Sequence, residues 1–106
     1  MAKYLVKGSY QAEGVKGLIK DGATGRKAAV TKMIEGLGGK VEAFYYAFGE
    51  TDVFVTIDVP DSTTAAALSM AVCASGTVRT TLTPLLTVEE VDAACKKTVS
   101  YRAPGA

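Results

Sequence analysis

Ala43-Phe44-Tyr45-Tyr46-Ala47-Phe48-Gly49-Glu50-Thr51-Asp52-Val53-Phe54-Val55-Thr56-Ile57-Asp58-Val59 is the stretch that decides the fold. Two runs of β-branched and aromatic residues flank a short polar break, Gly49-Glu50-Thr51-Asp52. That pattern predicts strands over 41–48 and 53–59, joined as a tight antiparallel hairpin. The second run alternates strictly. Val53, Val55, Ile57 and Val59 belong on a buried face, and Asp52, Phe54, Thr56 and Asp58 on the opposite one.

Outward from the hairpin the period changes from two to that of a helix. On the N-terminal side, Val15, Leu18, Ile19, Val30, Met33, Ile34 and Leu37 recur at helical spacing, interrupted by Asp21-Gly22-Ala23-Thr24-Gly25. Two glycines inside a helix cost about 1 kcal/mol each, so a kink or break is expected there, and Gly38-Gly39 ends the segment. Before it, residues 4–10 read as a strand. On the C-terminal side, Pro60-Asp61-Ser62 stops the hairpin strand and caps a helix over about 63–74, closed by Ser75-Gly76. Residues 78–86 form a fourth strand. Thr87-Val88-Glu89-Glu90 has the form of a capping box and opens a short helix reaching Cys95. The order β-α-β-β-α-β plus a terminal helix predicts an α+β, ferredoxin-like antiparallel sheet with its helices on one face. It implies one domain over 1–98 and a loose tail over 99–106.

One face of such a sheet is left uncovered. Phasing assigns it Lys3, Leu5, Lys7 and Ser9 from the first strand, Phe54 with Asp52 and Asp58 from the third, and Arg79, Thr81 and Thr83 from the fourth. For the second strand either Val41, Ala43 and Tyr45 or Glu42, Phe44, Tyr46 and Phe48 fall there, and the larger, more polar second set fits better. A surface mixing aromatics with charge reads as an interface or a binding groove. Two sheets meeting face to face would enclose a cavity. The helix after Pro60 adds a second reason to expect assembly, because no charged residue occurs from Ser62 through Val78. A helix apolar all round is buried on more than one side, by the C-terminal helix of its own chain or by another subunit.

Composition narrows the chemistry. Among 106 residues there are 12 Lys and Arg against 11 Asp and Glu, a net charge of +1, and no histidine. Histidine general bases, haem ligation through histidine and the commonest zinc sites are thereby excluded. No metal site and no cofactor is expected. Near-neutral charge and the acids beside Phe54 argue against nucleic acid, and nothing suggests a membrane. Cys73 and Cys95 have no C-x-x-C spacing, and they read as two buried thiols of a cytoplasmic protein.

The chain resembles the GYD domain family. The resemblance runs from Tyr4 to about Ala94. Its marks are Tyr10-x-x-Glu13-Gly14, Arg26 ahead of Ala28-Ala29-Val30, Leu37-Gly38-Gly39-Lys40, residues 43–49, Leu68 to Val72, Ser75-Gly76, and Leu86-Thr87-x-Glu89-Glu90-Val91-Asp92. Thr51 stands where the family's Gly-Tyr-Asp element usually has its tyrosine, so no role of that tyrosine is carried over. The resemblance implies a subunit similar to the dimeric α/β-barrel group and brings no established activity.

These readings lead to a homo-oligomer, at least a dimer, that binds a small anionic or partly apolar molecule in a cavity on the open sheet face. The alternatives are a cofactor-free oxygenase or isomerase acting on a phenolic or enolisable substrate, and a purely structural assembly protein. The candidate ligand-binding residues are Lys7, Tyr46, Phe54 and Arg79, with Tyr10, Arg26, Tyr45 and Asp52 behind them. Tyrosine and arginine can stabilise an anionic oxygen without histidine. Arg26 has two readings: a phase reset at the glycines leaves it solvated, or it points inward to an anion.

Overall fold

A computed structural model of the chain describes residues 2–106. The elements follow the order β1 (Ala2–Tyr10), α1 (Ala12–Gly36), β2 (Lys40–Tyr46), β3 (Val53–Val59), α2 (Ser62–Ala74), β4 (Val78–Leu85) and α3 (Val88–Cys95). Four strands form one antiparallel sheet in the spatial order β2-β3-β1-β4. The fold is thus α+β, with three helices and the two inner strands β3 and β1 at its centre.

The alternation of β3 sets the layers. Val53, Val55, Ile57 and Val59 are all buried, in one cluster with Tyr4, Ile34 of α1, and Ala65 and Leu68 of α2. Register carries the same facing onto β1, where Tyr4 stands opposite Ile57 and Val6 opposite Val55. Lys3, Leu5 and Lys7 consequently share the far face with Thr56, Phe54 and Asp58. There Lys3 Nζ reaches Glu42 Oε1 at 2.8 Å and Asp58 Oδ2 at 3.1 Å, tying three strands together.

The helix boundaries have local causes. Gly22, at φ 75 and ψ 161, breaks the geometry of α1 in mid-helix, in a region essentially reserved for glycine. Asp61 caps α2, accepting the Thr64 N–H at 2.7 Å, and the Thr87–Glu90 capping box opens α3. Glycine at φ 80 (Gly38) and at φ 74 (Gly76) follows the ends of α1 and α2.

Three expectations need correction. The register of β2 shifts between Val41 and Ala43, so Glu42 lies in a bulge. Past it, Phe44 pairs with Val55 and Tyr46 with Val53, which puts both aromatics on the helix side rather than the open face. Tyr45 takes the open face opposite Phe54 instead. Both thiols are exposed, not buried: Cys73 lies at the edge of α2, where its sulfur reaches Thr80 Oγ1 of β4 at 3.3 Å, and Cys95 lies on α3. And α3 does not roof α2. It makes at most marginal contact with any other element, and the chain measures 57 × 32 × 22 Å with a radius of gyration of 17.0 Å. A compact chain of this length has roughly 13 Å.

Gly14 marks the tightest approach of α1 to the sheet. A Cβ there would collide with the Thr77 carbonyl oxygen and lie 2.8 Å from the Tyr10 ring, whereas one at Gly17 would meet nothing within 4 Å. Helix propensity favours alanine by about 1 kcal/mol at either site. At Gly14 a rigid backbone atom opposes it, and overpacking costs about 1–3 kcal/mol. Gly14→Ala is therefore expected to lower the denaturant midpoint and Gly17→Ala to raise it. Equal responses of the two variants would remove the steric account.

Candidate functional site

α1 leans chiefly on β2 and α2 on β4, so the helices fill only part of the space above the two inner strands. A cleft of about 390 Å³ occupies it. Its floor comes from Val6 and Gly8 of β1, Val53 and Val55 of β3, and Thr80 and Leu82 of β4. Val30 and Met33 of α1 form one wall, and Leu68 and Val72 of α2 the other. Gly8 keeps the floor low, since a side chain there would press on Val53 and Val78.

The cleft is mainly apolar, with Arg26, Tyr10 and Thr77 at one end and the hydroxyls of Ser69, Ser75 and Thr80 along the α2–β4 side. Arg26, Tyr10 and Thr77 also border a smaller cavity of about 110 Å³ beside Glu13 and Asp21. Among the described residues Arg26 is the single charged group lining the larger space. Its guanidinium is 4.0 Å from Asp21 Oδ2, at the outer limit of an ion pair, and its side chain is 35% exposed. The kink at Gly22 is where sequence analysis places it, but it does not turn Arg26 out into solvent. It leaves the residue at the cleft's edge.

Tyr46 adds a buried phenol nearby. Its hydroxyl oxygen is shielded from solvent and has no hydrogen-bond partner among the described residues. Burial, foremost, and the adjacent Tyr10 push its pKa up to about 12, while the charge of Arg26 acts in the opposite direction. Tyr10 lies near enough to bear on that phenol, but its hydroxyl does not sit in hydrogen-bonding geometry with it. The ring stacks between Phe44 (centroids 5.3 Å, tilted by 52°) and Phe48 (6.4 Å, 5° from parallel).

The eight residues singled out from sequence thus divide between the two sheet faces. Tyr10, Arg26 and Tyr46 gather on the helix side. Lys7, Tyr45, Phe54 and Arg79 lie on the open face, with Lys7 between Phe54 and Thr81, and Arg79 opposite Ser9. A catalytic pair of Arg79 with Tyr46 cannot form within one chain, because the sheet separates them. Asp52 is structural: its carboxylate accepts the Tyr10 N–H at 2.8 Å and fixes the end of β1. With Asp58 held by Lys3, neither acid is free to pair with Arg79, and among the described residues no salt bridge involves Lys7 or Arg79. Sequence reasoning missed Met33, Thr77 and the Gly8 floor. The even phase of Tyr10 on β1, opposite to Lys7, was the available signal for a site on the helix side.

The polar end supplies one permanent cation, Arg26, and one phenol, Tyr10, with the carboxylates of Glu13 and Asp21 on the side of the smaller cavity. Among the described residues no three His, Cys, Asp or Glu side chains cluster as metal ligands, and no helix is long and apolar enough to cross a membrane. What the arrangement can do is hold an apolar body and fix an acceptor oxygen at one end of it.

The class so defined is a small α+β domain with an antiparallel four-stranded sheet and a cleft under its helices. The model of the GYD domain family matches residues 4–95, and the chain belongs to that family. No curated protein and no solved structure matches it.

The unpartnered Tyr46 hydroxyl makes a specific demand on stability. Deleting a buried hydroxyl that bonds nothing removes a desolvation cost of about 1–3 kcal/mol, so Tyr46→Phe is expected to melt higher than wild type. The folded state also retains this proton after the unfolded chain, titrating near 10.0, has released it. Stability should therefore fall as pH rises from about 10 towards 12. The decline should be shallower in Tyr46→Phe. Parallel pH profiles for the two proteins would show that the phenol titrates normally.

Proposed function

We propose that this GYD domain is a homo-oligomeric, ferredoxin-like module that binds a small, partly apolar molecule in the cytoplasm. One observation carries the binding function: an apolar cleft of about 390 Å³ with a single charge at its polar end. Small-molecule sites have volumes of roughly 300–1,000 Å³ and this mixture of apolar walls with a few convergent polar groups. The cleft lies under the helices. The site proposed here is therefore on the helix side, not the open face favoured by the strand phasing. The element order together with the strand order β2-β3-β1-β4 supports the ferredoxin-like assignment. Two unpaired thiols suit a reducing compartment.

Assembly is supported by the apolar surface that one chain leaves uncovered. Met70 of the chargeless α2 is 68% exposed, and Val88 and Val91 of the outstanding α3 are exposed as well. On the open face Leu5 and Phe54 sit between Lys7 and the Lys3–Asp58 pair. A catalytic role has less support, because Tyr46 near 12 acts as a donor and not as a base.

Light scattering at micromolar concentration is expected to give at least a dimer, and Phe54→Asp to shift it towards monomer by burying an unpaired charge. A thermal-shift panel of small apolar acids, phenols and neutral analogues should contain stabilising compounds. A wild-type monomer would overturn the assembly, and a panel with no stabilising member would overturn the binding function. Turnover of a stabilising compound would move the protein to the cofactor-free enzymes.

A further inference from the structure

Resting on the binding function proposed above, we infer that the cleft selects a monoanion with an apolar body, such as an aliphatic or aryl carboxylate, whose carboxylate meets Arg26. Among the described residues Arg26 is the only charge lining a mainly apolar space, and its one ion-pair partner, Asp21, is at 4.0 Å on the side of the smaller cavity, which Glu13 also lines. A cation facing apolar walls gains an anion there that the protein itself does not supply. A guanidinium also presents paired N–H donors that match a carboxylate in a fork.

Tyr10 lines both cavities together with Arg26 and adds a phenol to the same end. The backbone invests in this geometry too. Gly22 adopts a conformation essentially closed to other residues, and the helix that resumes after it carries Arg26 to the cleft, one turn before Val30. Charge count limits the ligand to one negative charge. A dianionic phosphate would meet one arginine with Glu13 and Asp21 on the outer side, and an ammonium ligand would meet that arginine directly.

Calorimetry with octanoate, octanamide, octyl phosphate and octylammonium tests the assignment on the intact chain. Octanoate is expected to bind more tightly than the other three. Arg26→Gln should weaken octanoate at least about tenfold, the range of hydrogen bonds to charged groups, while leaving octanamide unchanged. Asp21→Asn, which removes the competing carboxylate without touching the cleft, should strengthen octanoate and so keeps the test decisive if Arg26→Gln folds poorly. Equal binding of octanoate and octanamide, insensitive to both substitutions, would overturn the anion assignment and leave the binding module standing. Octanoate affinity that survives Arg26→Gln and is lost in Arg79→Gln would overturn it in favour of the open face. No binding of any of the four to wild type would remove the carboxylate class, and the wider thermal-shift panel then decides separately whether the cleft binds anything.

Discussion

The two-residue period of β3 is the constraint on which the other elements depend. Its four buried residues, Val53, Val55, Ile57 and Val59, meet α1 at one end through Ile34 and α2 through Ala65 and Leu68. Because β3 is an inner strand, its facing is imposed on both neighbours through the ladder hydrogen bonds. Every polar residue on the reverse side, from Lys3 to Asp58, is assigned to its face by that one alternation. A slip of a single residue would bury Asp58 and expose Ile57. The apolar area at stake makes such a slip prohibitive.

At one place the ladder does slip, and the aromatics beyond it change face. The bulge at Glu42 lets Val41 face the helices, sends Glu42 to Lys3 on the reverse side, and restores an inward phase for Phe44 and Tyr46. An extra residue in one strand is tolerated at a sheet edge, where no further strand must match it. β2 is such an edge strand. Without the bulge, Tyr46 would fall on the open face and Phe44 would leave the lining of the cleft.

The cleft itself results from helices that each favour an outer strand. Such a gap costs packing energy, since apolar walls without contacting atoms lose dispersion attraction. A domain of this size has little stability to spare. A ligand of the kind proposed above would restore those contacts. The same reasoning applies to α2 and α3, whose exposed apolar residues are suited to contact with another copy of the chain.

Much of the fold was legible in the chain alone, and the reasons are local. Strict alternation over 53–59, the Asp61 and Thr87 caps and the glycines after each helix act within a few residues of one another, so the order of elements follows from sequence. The glycine kink in α1 was legible for the same reason. The faces of Phe44, Tyr46 and Arg26 were not. Whether a strand bulges at Glu42 depends on whether Lys3 and Asp58, distant in sequence, stand ready to hold that carboxylate. Whether Arg26 turns outward depends on the angle between two helix halves, which is set by packing on β2 and not by the identity of the glycines. Local propensity chose the elements; contacts between residues far apart in the chain decided which side of the sheet became the site.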